Sequence, residues 1–137
     1  MITDPKDEVV LRRECEATGR AEAEMLLRGL DVADEQWGFE VLNLVCSDSP
    51  ELEIMISEVF AWLDVAGWKL KEKARSETAM QKYDYSLNGN YAKRHTVEAT
   101  LTEHWANWKD RLWRISQGET GLSKEARRLA ARSHDLM

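Results

Sequence analysis

The chain has 137 residues, 43% of them hydrophobic and 32% charged, with a formal net charge of −6. That length suits one domain, residues 1–137, with a real core, and the apolar fraction excludes a disordered chain. No apolar run approaches the roughly 20 residues that span a bilayer, and MITDPKDE has neither the basic nor the apolar region of a signal peptide; the expectation is a cytoplasmic protein away from membranes.

Only 7 Gly and 2 Pro occur. With abundant Ala, Glu, Leu, Lys and Arg, this favours helices throughout. The first predicted helix covers 5–29. Asp4 can cap it, Pro5 suits its first turn, and Asp7 and Glu8 complement its dipole. Its apolar stripe (Leu11, Cys15, Thr18, Met25, Leu26) is weak, and Gly19 is a place where it could break. Residues 34–46 are ambiguous. Trp37, Val41, Leu44 and Val45 make a helical stripe, while Phe39, Val41 and Val45 alternate as a strand would. A helix is expected, because no second strand is evident to pair with.

Ser49-Pro50-Glu51 is a strong helix start. Leu52, Ile56, Val59, Leu63, Ala66 and Leu70 follow at alternating spacings of four and three, a heptad-like seam. Ile54, Ala61, Val65 and Trp68 fall within about 60° of one another on roughly the opposite side. A helix apolar on two faces is central in its fold, or uses its second face as an interface. The pattern predicts one helix over 50–86, about 55 Å long at 1.5 Å per residue. Such a helix bends, with Gly67 the natural place, or projects as an arm.

Leu87-Asn88-Gly89-Asn90 reads as a turn. The next predicted helix covers 91–117, with Val97, Leu101, Trp105, Trp108, Leu112 and Ile115 in line as core. Trp113 lies off that stripe, one turn after Lys109, whose ammonium could lie across its ring. Gly118 and Gly121 bracket a break. Ser123 caps a last helix over 123–135, with Leu122, Ala126, Leu129, Ser133 and Leu136 as its stripe. The tetrapeptide LDVA occurs at 30–33 and 63–66, but the similarity stops at once on either side. The fold expected is all-α: a bundle of four to five helices with one long central helix, kinked or partly projecting.

Known chemical motifs are sparse. Cys15 and Cys46 are the only cysteines and form no CxxC, so they read as small apolar residues. Glycine-rich phosphate loops are absent. His95, His104 and His134 lack the i,i+4 or Glu-x-x-His spacing of helical metal sites. The stretch EVFAWLDVAGW (58–68) is superficially similar to a metal helix of all-α nucleotide pyrophosphatases, but Ala61 stands where an acid is needed. Arg128 and His134 have the Arg-x4–6-His spacing of helical ribonucleases, a spacing that 11 arginines make easy to meet by chance. No metal, cofactor or catalytic residue is assigned.

Charge is unevenly spread. Residues 1–64 hold 16 acidic and 5 basic side chains, and residues 65–137 hold 9 acidic and 14 basic. Between Gly29 and Trp68 there is no Lys or Arg. Asp31, Asp34, Glu35, Glu40, Asp48, Glu51 and Glu53 therefore form a candidate acidic face for a protein partner with a basic surface. Ile54, Ala61, Val65, Trp68 and Trp113 are candidate interface residues, and they suggest a homo-oligomer. Lys69, Lys71, Lys73, Arg75, Lys124, Arg128 and Arg132 form a basic set, the last three at i, i+4 and i+8 on one helix. Like charges so spaced need an acidic counterpart: the N-terminal half, a second subunit or nucleic acid.

The reading that follows is a non-enzymatic interaction protein (adaptor, assembly factor or inhibitor), whose acidic surface could mimic nucleic acid. One alternative is a nucleic-acid-binding accessory protein using residues 69–75 and 124–132. Another is a small all-α nucleotide hydrolase or ribonuclease with a degenerate motif.

Overall fold

The computed structural model describes residues 5–30, 33–47, 50–87 and 90–137. In chain order they form α1 (Pro5–Leu27), α2 (Glu35–Leu42) with a 3-10 turn (Asn43–Cys46), α3 (Leu52–Ser76), strands β1 (Met80–Leu87) and β2 (Asn90–Thr100), α4 (Leu101–Ser116) and α5 (Lys124–Leu136). The fold is mostly helical, with one antiparallel hairpin.

The mostly helical expectation holds, and the hairpin is the departure from it among the described residues. The helix predicted over 50–86 ends at Ser76, and the one predicted over 91–117 begins only at Leu101. Helix α3 stops where Glu77 turns extended (φ −88°, ψ 119°) and its N–H closes the last turn on Lys73. Its 25 residues span about 37 Å, so no bend at Gly67 and no projecting arm is needed. The start of α4 is set by a capping box: the Thr100 side chain accepts from the Glu103 N–H, and the Glu103 carboxylate accepts from the Thr100 N–H. Of the turn expected at 87–90, residues 88–89 lie outside the described residues.

Between these ends the chain alternates as a strand does. Tyr83 and Ala99 are buried, Tyr85 and Val97 half-buried, while Lys82, Asp84, Thr96 and Glu98 are exposed. The register sets Tyr83 opposite Val97 and Asp84 opposite Thr96. Outward cross-strand pairs support it: the Thr96 hydroxyl donates to Asp84 (2.8 Å) and Lys82 approaches Glu98 (3.8 Å).

Helix α3 carries the core. Its seam from Leu52 to Leu70 is buried throughout, as the spacing predicts. The second apolar face is also largely covered, by α1, so Ile54 and Ala61 are buried inside the chain. Gly19 does not break α1; it is the point of closest approach. A Cβ there would lie 2.8 Å from the Glu58 carbonyl and 2.9 Å from Ala61 Cβ. The weak stripe of α1 has this cause: its contact face is Gly19, Ala23 and Leu26, with Thr18 exposed and Leu11, Cys15 and Met25 only half-buried. Gly38 brings α2 onto α3 in the same way, since a Cβ there would meet Leu70 at 2.8 Å and Trp62 at 3.0 Å.

The start of α5 is fastened by polar groups. The Glu53 carboxylate accepts from the Ser123 N–H (2.7 Å) and hydroxyl (2.6 Å), and the Arg12 guanidinium of α1 bonds both Glu53 and Ser123. Higher up, Arg20 of α1 pairs with Asp64 of α3 (2.9 Å), and the Arg132 guanidinium of α5 stands 4.5 Å from the centre of the buried Phe60 ring. Buried Trp62 and Trp108 satisfy their indole N–H groups on Glu22 (3.0 Å) and Asn43 (2.9 Å).

Candidate functional site

The acidic set divides into two places. Asp31 and Asp48 lie outside the described residues. Asp34, Glu35 and Glu40 belong to α2 and its cap; Glu51 and Glu53 flank the start of α3. Asp34 is the N-cap of α2, accepting from the Trp37 N–H at 3.1 Å, yet it stays exposed. Glu53 is not available to a partner, because it holds Arg12 and Ser123. Among the described residues, Asp34, Glu35 and Glu40 have no ion pair with Lys or Arg.

Glu40 opens onto a cleft of about 320 Å³ between α2, the 3-10 turn and the hairpin, lined also by Gln36, Asn43, Ser47, Lys82, Tyr83, Asp84 and Thr96. Its walls are locked together. Gln36 donates to the Tyr83 hydroxyl (2.9 Å), and Asn43 donates to the Asp84 carbonyl (2.9 Å) while accepting from Trp108. Burial pushes the Tyr83 hydroxyl above its ordinary range, against the Gln36 hydrogen bond and with help from the Glu40 charge. Two acids, Glu40 and Asp84, and one cation, Lys82, line the cleft.

Behind the hairpin lies a buried polar link. The Gln81 carbonyl can only accept, so His104 Nε2 carries a hydrogen and donates to it (2.9 Å). His104 Nδ1 then accepts from the Tyr85 hydroxyl (2.8 Å). Burial, first of all, raises the Tyr85 hydroxyl to about 12. Tyr83 and Trp108 pack on the imidazole, with ring centres 4.8 and 5.8 Å away. Sequence reasoning missed this group because it placed Tyr83 and Tyr85 on a polar helix end. The available signal was Asn88-Gly89 between two alternating runs.

Several other titratable groups are shifted by burial or engaged by neighbours. Burial raises the Cys46 thiol to about 12, and it raises Cys15 as well, with Glu58 and Glu14 adding to it. Cys15 is half-buried rather than fully enclosed. Glu58, packed between α1 and α3, is pushed up to about 8 by burial and by its hydrogen bond to, and the charge of, Glu22. Arg128 is held by Glu125 (2.6 Å), and His134 packs its ring on Trp113 (5.5 Å between centres), so the Arg128–His134 spacing assembles no joint site. Among the described residues, no three His, Cys, Asp or Glu side chains gather in a way that could hold a metal ion.

The basic set is dispersed too. Lys73 pairs with Glu77 (3.7 Å), Arg128 with Glu125, and Arg132 covers Phe60. Of the α5 series, Arg128 has an acidic partner, Glu125 of the same helix, and Arg132 packs on an aromatic ring instead. Lys124 is exposed and Lys69 half-buried. Lys71 and Arg75 line a shallow groove with Trp68, Glu72 and Ser76. Of the candidate interface residues, Ile54 and Ala61 are buried, Val65 is half-buried, and Trp68 and Trp113 are 63% and 50% exposed. The ring partner of Trp113 is His134, not the expected Lys109.

Among the described residues no helix is long and apolar enough to cross a membrane. The chain matches no family model, no characterised protein and no solved structure.

Proposed function

We propose that the chain is a non-enzymatic interaction protein, an adaptor, assembly factor or inhibitor, that binds a basic protein surface through α2 and the hairpin. One observation carries this reading. Exposed Glu40, on a short helix pressed onto the core at Gly38, lines a cleft together with Asp84 of the hairpin, and Asp34 and Glu35 stand at the start of the same helix. Fixed acids on a rigid support give a basic partner both attraction and orientation, at little ordering cost. A surface of this kind could also occupy a groove made for nucleic acid.

The state of the reactive groups supports a non-enzymatic role. Both imidazole nitrogens of His104 are committed, and the Cys46 thiol stays protonated at neutral pH. The proposal does not extend to self-association. With Ile54 and Ala61 covered by α1, the second face of α3 is reduced to half-buried Val65 and exposed Trp68, whereas a stable interface takes about 800 Å² from each partner.

A tagged pull-down from the native host, with and without nuclease, tests the proposal when the wild type is compared with Asp34→Asn/Glu35→Lys/Glu40→Lys. Asparagine keeps the α2 cap while removing its charge. Proteins held by the wild type in low salt, nuclease-insensitive and lost from the variant, are the expected result. An identical set on both baits refutes the acidic face.

A further inference from the structure

Trp68 is the most exposed large apolar side chain among the described residues, at 63%. It sits on α3, whose other large apolar side chains are buried or half-buried. Lys71 and Arg75 follow it at i+3 and i+7, which places all three within about 60° on one face of the helix. Among the described residues, neither cation has an ion pair, although Lys73 on the same helix does. The three residues line one shallow groove together with Glu72 and Ser76.

We propose that this groove is a weak binding site for single-stranded nucleic acid, with a base stacked on the Trp68 indole and backbone phosphates on Lys71 and Arg75. The cations stand one turn apart, about 6 Å along the axis, so they track a strand rather than grip one point. An open indole face accepts any base, and stacking next to cations is the standard chemistry of sequence-tolerant single-strand binding. A folded acidic protein fits less well, because the apolar area is one ring on one helix face, far below a protein interface. This site is separate from the α2 cleft, and either can fail without the other.

The test is fluorescence anisotropy of a labelled oligothymidylate titrated with the full chain at about 50 mM salt, then at rising salt. Saturable binding is expected, with a log–log salt slope near −1.4, about 0.7 for each of two phosphates. Trp68→Ala should weaken it about tenfold, and Lys71→Gln/Arg75→Gln should weaken it and flatten the slope. Trp113→Ala, which removes the other highly exposed indole, should leave it unchanged. Trp68, Arg75 and Trp113 are exposed and Lys71 is half-buried, and circular dichroism checks that each variant folds. No binding at low salt, or a Trp68→Ala protein that binds like the wild type, overturns the proposal. So does displacement by polyglutamate as readily as by unlabelled strand, which would assign the groove to an acidic protein.

Discussion

At the scale of single residues, Glu58 and Glu22 share the most consequential contact. Their carboxyl groups meet between α1 and α3, and Glu58 releases its proton only near pH 8. The folded protein therefore binds more protons than the unfolded chain between about pH 4.5 and 8, so stability falls as pH rises through that window. Glu58 is only half-buried, so the loss is on the order of 1–2 kcal/mol rather than the full value of the shift. Glu58→Gln removes the ionisation while keeping a hydrogen-bonding group. Melting curves at pH 5, 7 and 9 should show the variant gaining on the wild type as pH rises. A constant difference across that range would contradict the shared proton.

Gly19 is the other informative residue. Alanine there gains about 1 kcal/mol of helix propensity but places a methyl group 2.8 Å from the Glu58 carbonyl. Backbone cannot yield cheaply, and overpacking costs about 1–3 kcal/mol. Gly19→Ala should lower the midpoint of urea unfolding, and a raised midpoint would mean that α1 sits further from α3 than described.

At the scale of elements, the hairpin depends on α4. An isolated pair of strands is marginal in water, and here Tyr83, Tyr85 and the Gln81 carbonyl are all held by His104 and Trp108. His104→Phe keeps a ring against Trp108 but leaves the Gln81 carbonyl and the Tyr85 hydroxyl without their partner. The expected cost is about 2 kcal/mol, with β1 and β2 amides exchanging faster than those of α3. Uniform protection in the variant would show that the hairpin stands without this link.

The elements also show what the sequence made legible. The α3 seam, the Trp105/Trp108 core stripe, the Ser123 cap and the exposed Trp113 all follow from spacing, because each is a local consequence of helical period. The hairpin was hidden by its polar outward residues (Lys82, Asp84, Thr96, Glu98), which continue the look of a solvated helix. Its described inward residues (Tyr83 and Tyr85, then Val97 and Ala99) alternate at period two on either side of the Asn88-Gly89 sequence, and Thr100-x-x-Glu103 marks where the helix resumes. The acidic set was legible as composition only. That Glu53 is consumed by Arg12, 41 residues away, is a tertiary fact that no local pattern carries.

At the scale of the whole molecule, the ion pairs leave the charge asymmetry between the two halves in place. Arg12 and Arg20 of the acidic half pair with Glu53 and Asp64 of the same half, and in α5 Glu125 pairs with Arg128 while the helix as a whole stays basic. What is left is a cation-poor α2 region on one side and the Trp68 stripe on another helix. With the second apolar face of α3 mostly covered, light scattering at micromolar concentration should report a monomer. A stable dimer abolished by Trp68→Glu would instead make that residue an interface.

The most direct test of the acidic face is a chemical-shift titration of the isotope-labelled chain with an oligolysine peptide at about physiological ionic strength, where screening suppresses diffuse attraction. The account predicts saturable shifts concentrated at Glu35, Glu40, Asn43, Asp84 and Thr96, and absent from the Asp34→Asn/Glu35→Lys/Glu40→Lys protein. Shifts spread evenly over all the acidic residues, Glu8, Glu51 and Glu72 included, would contradict it.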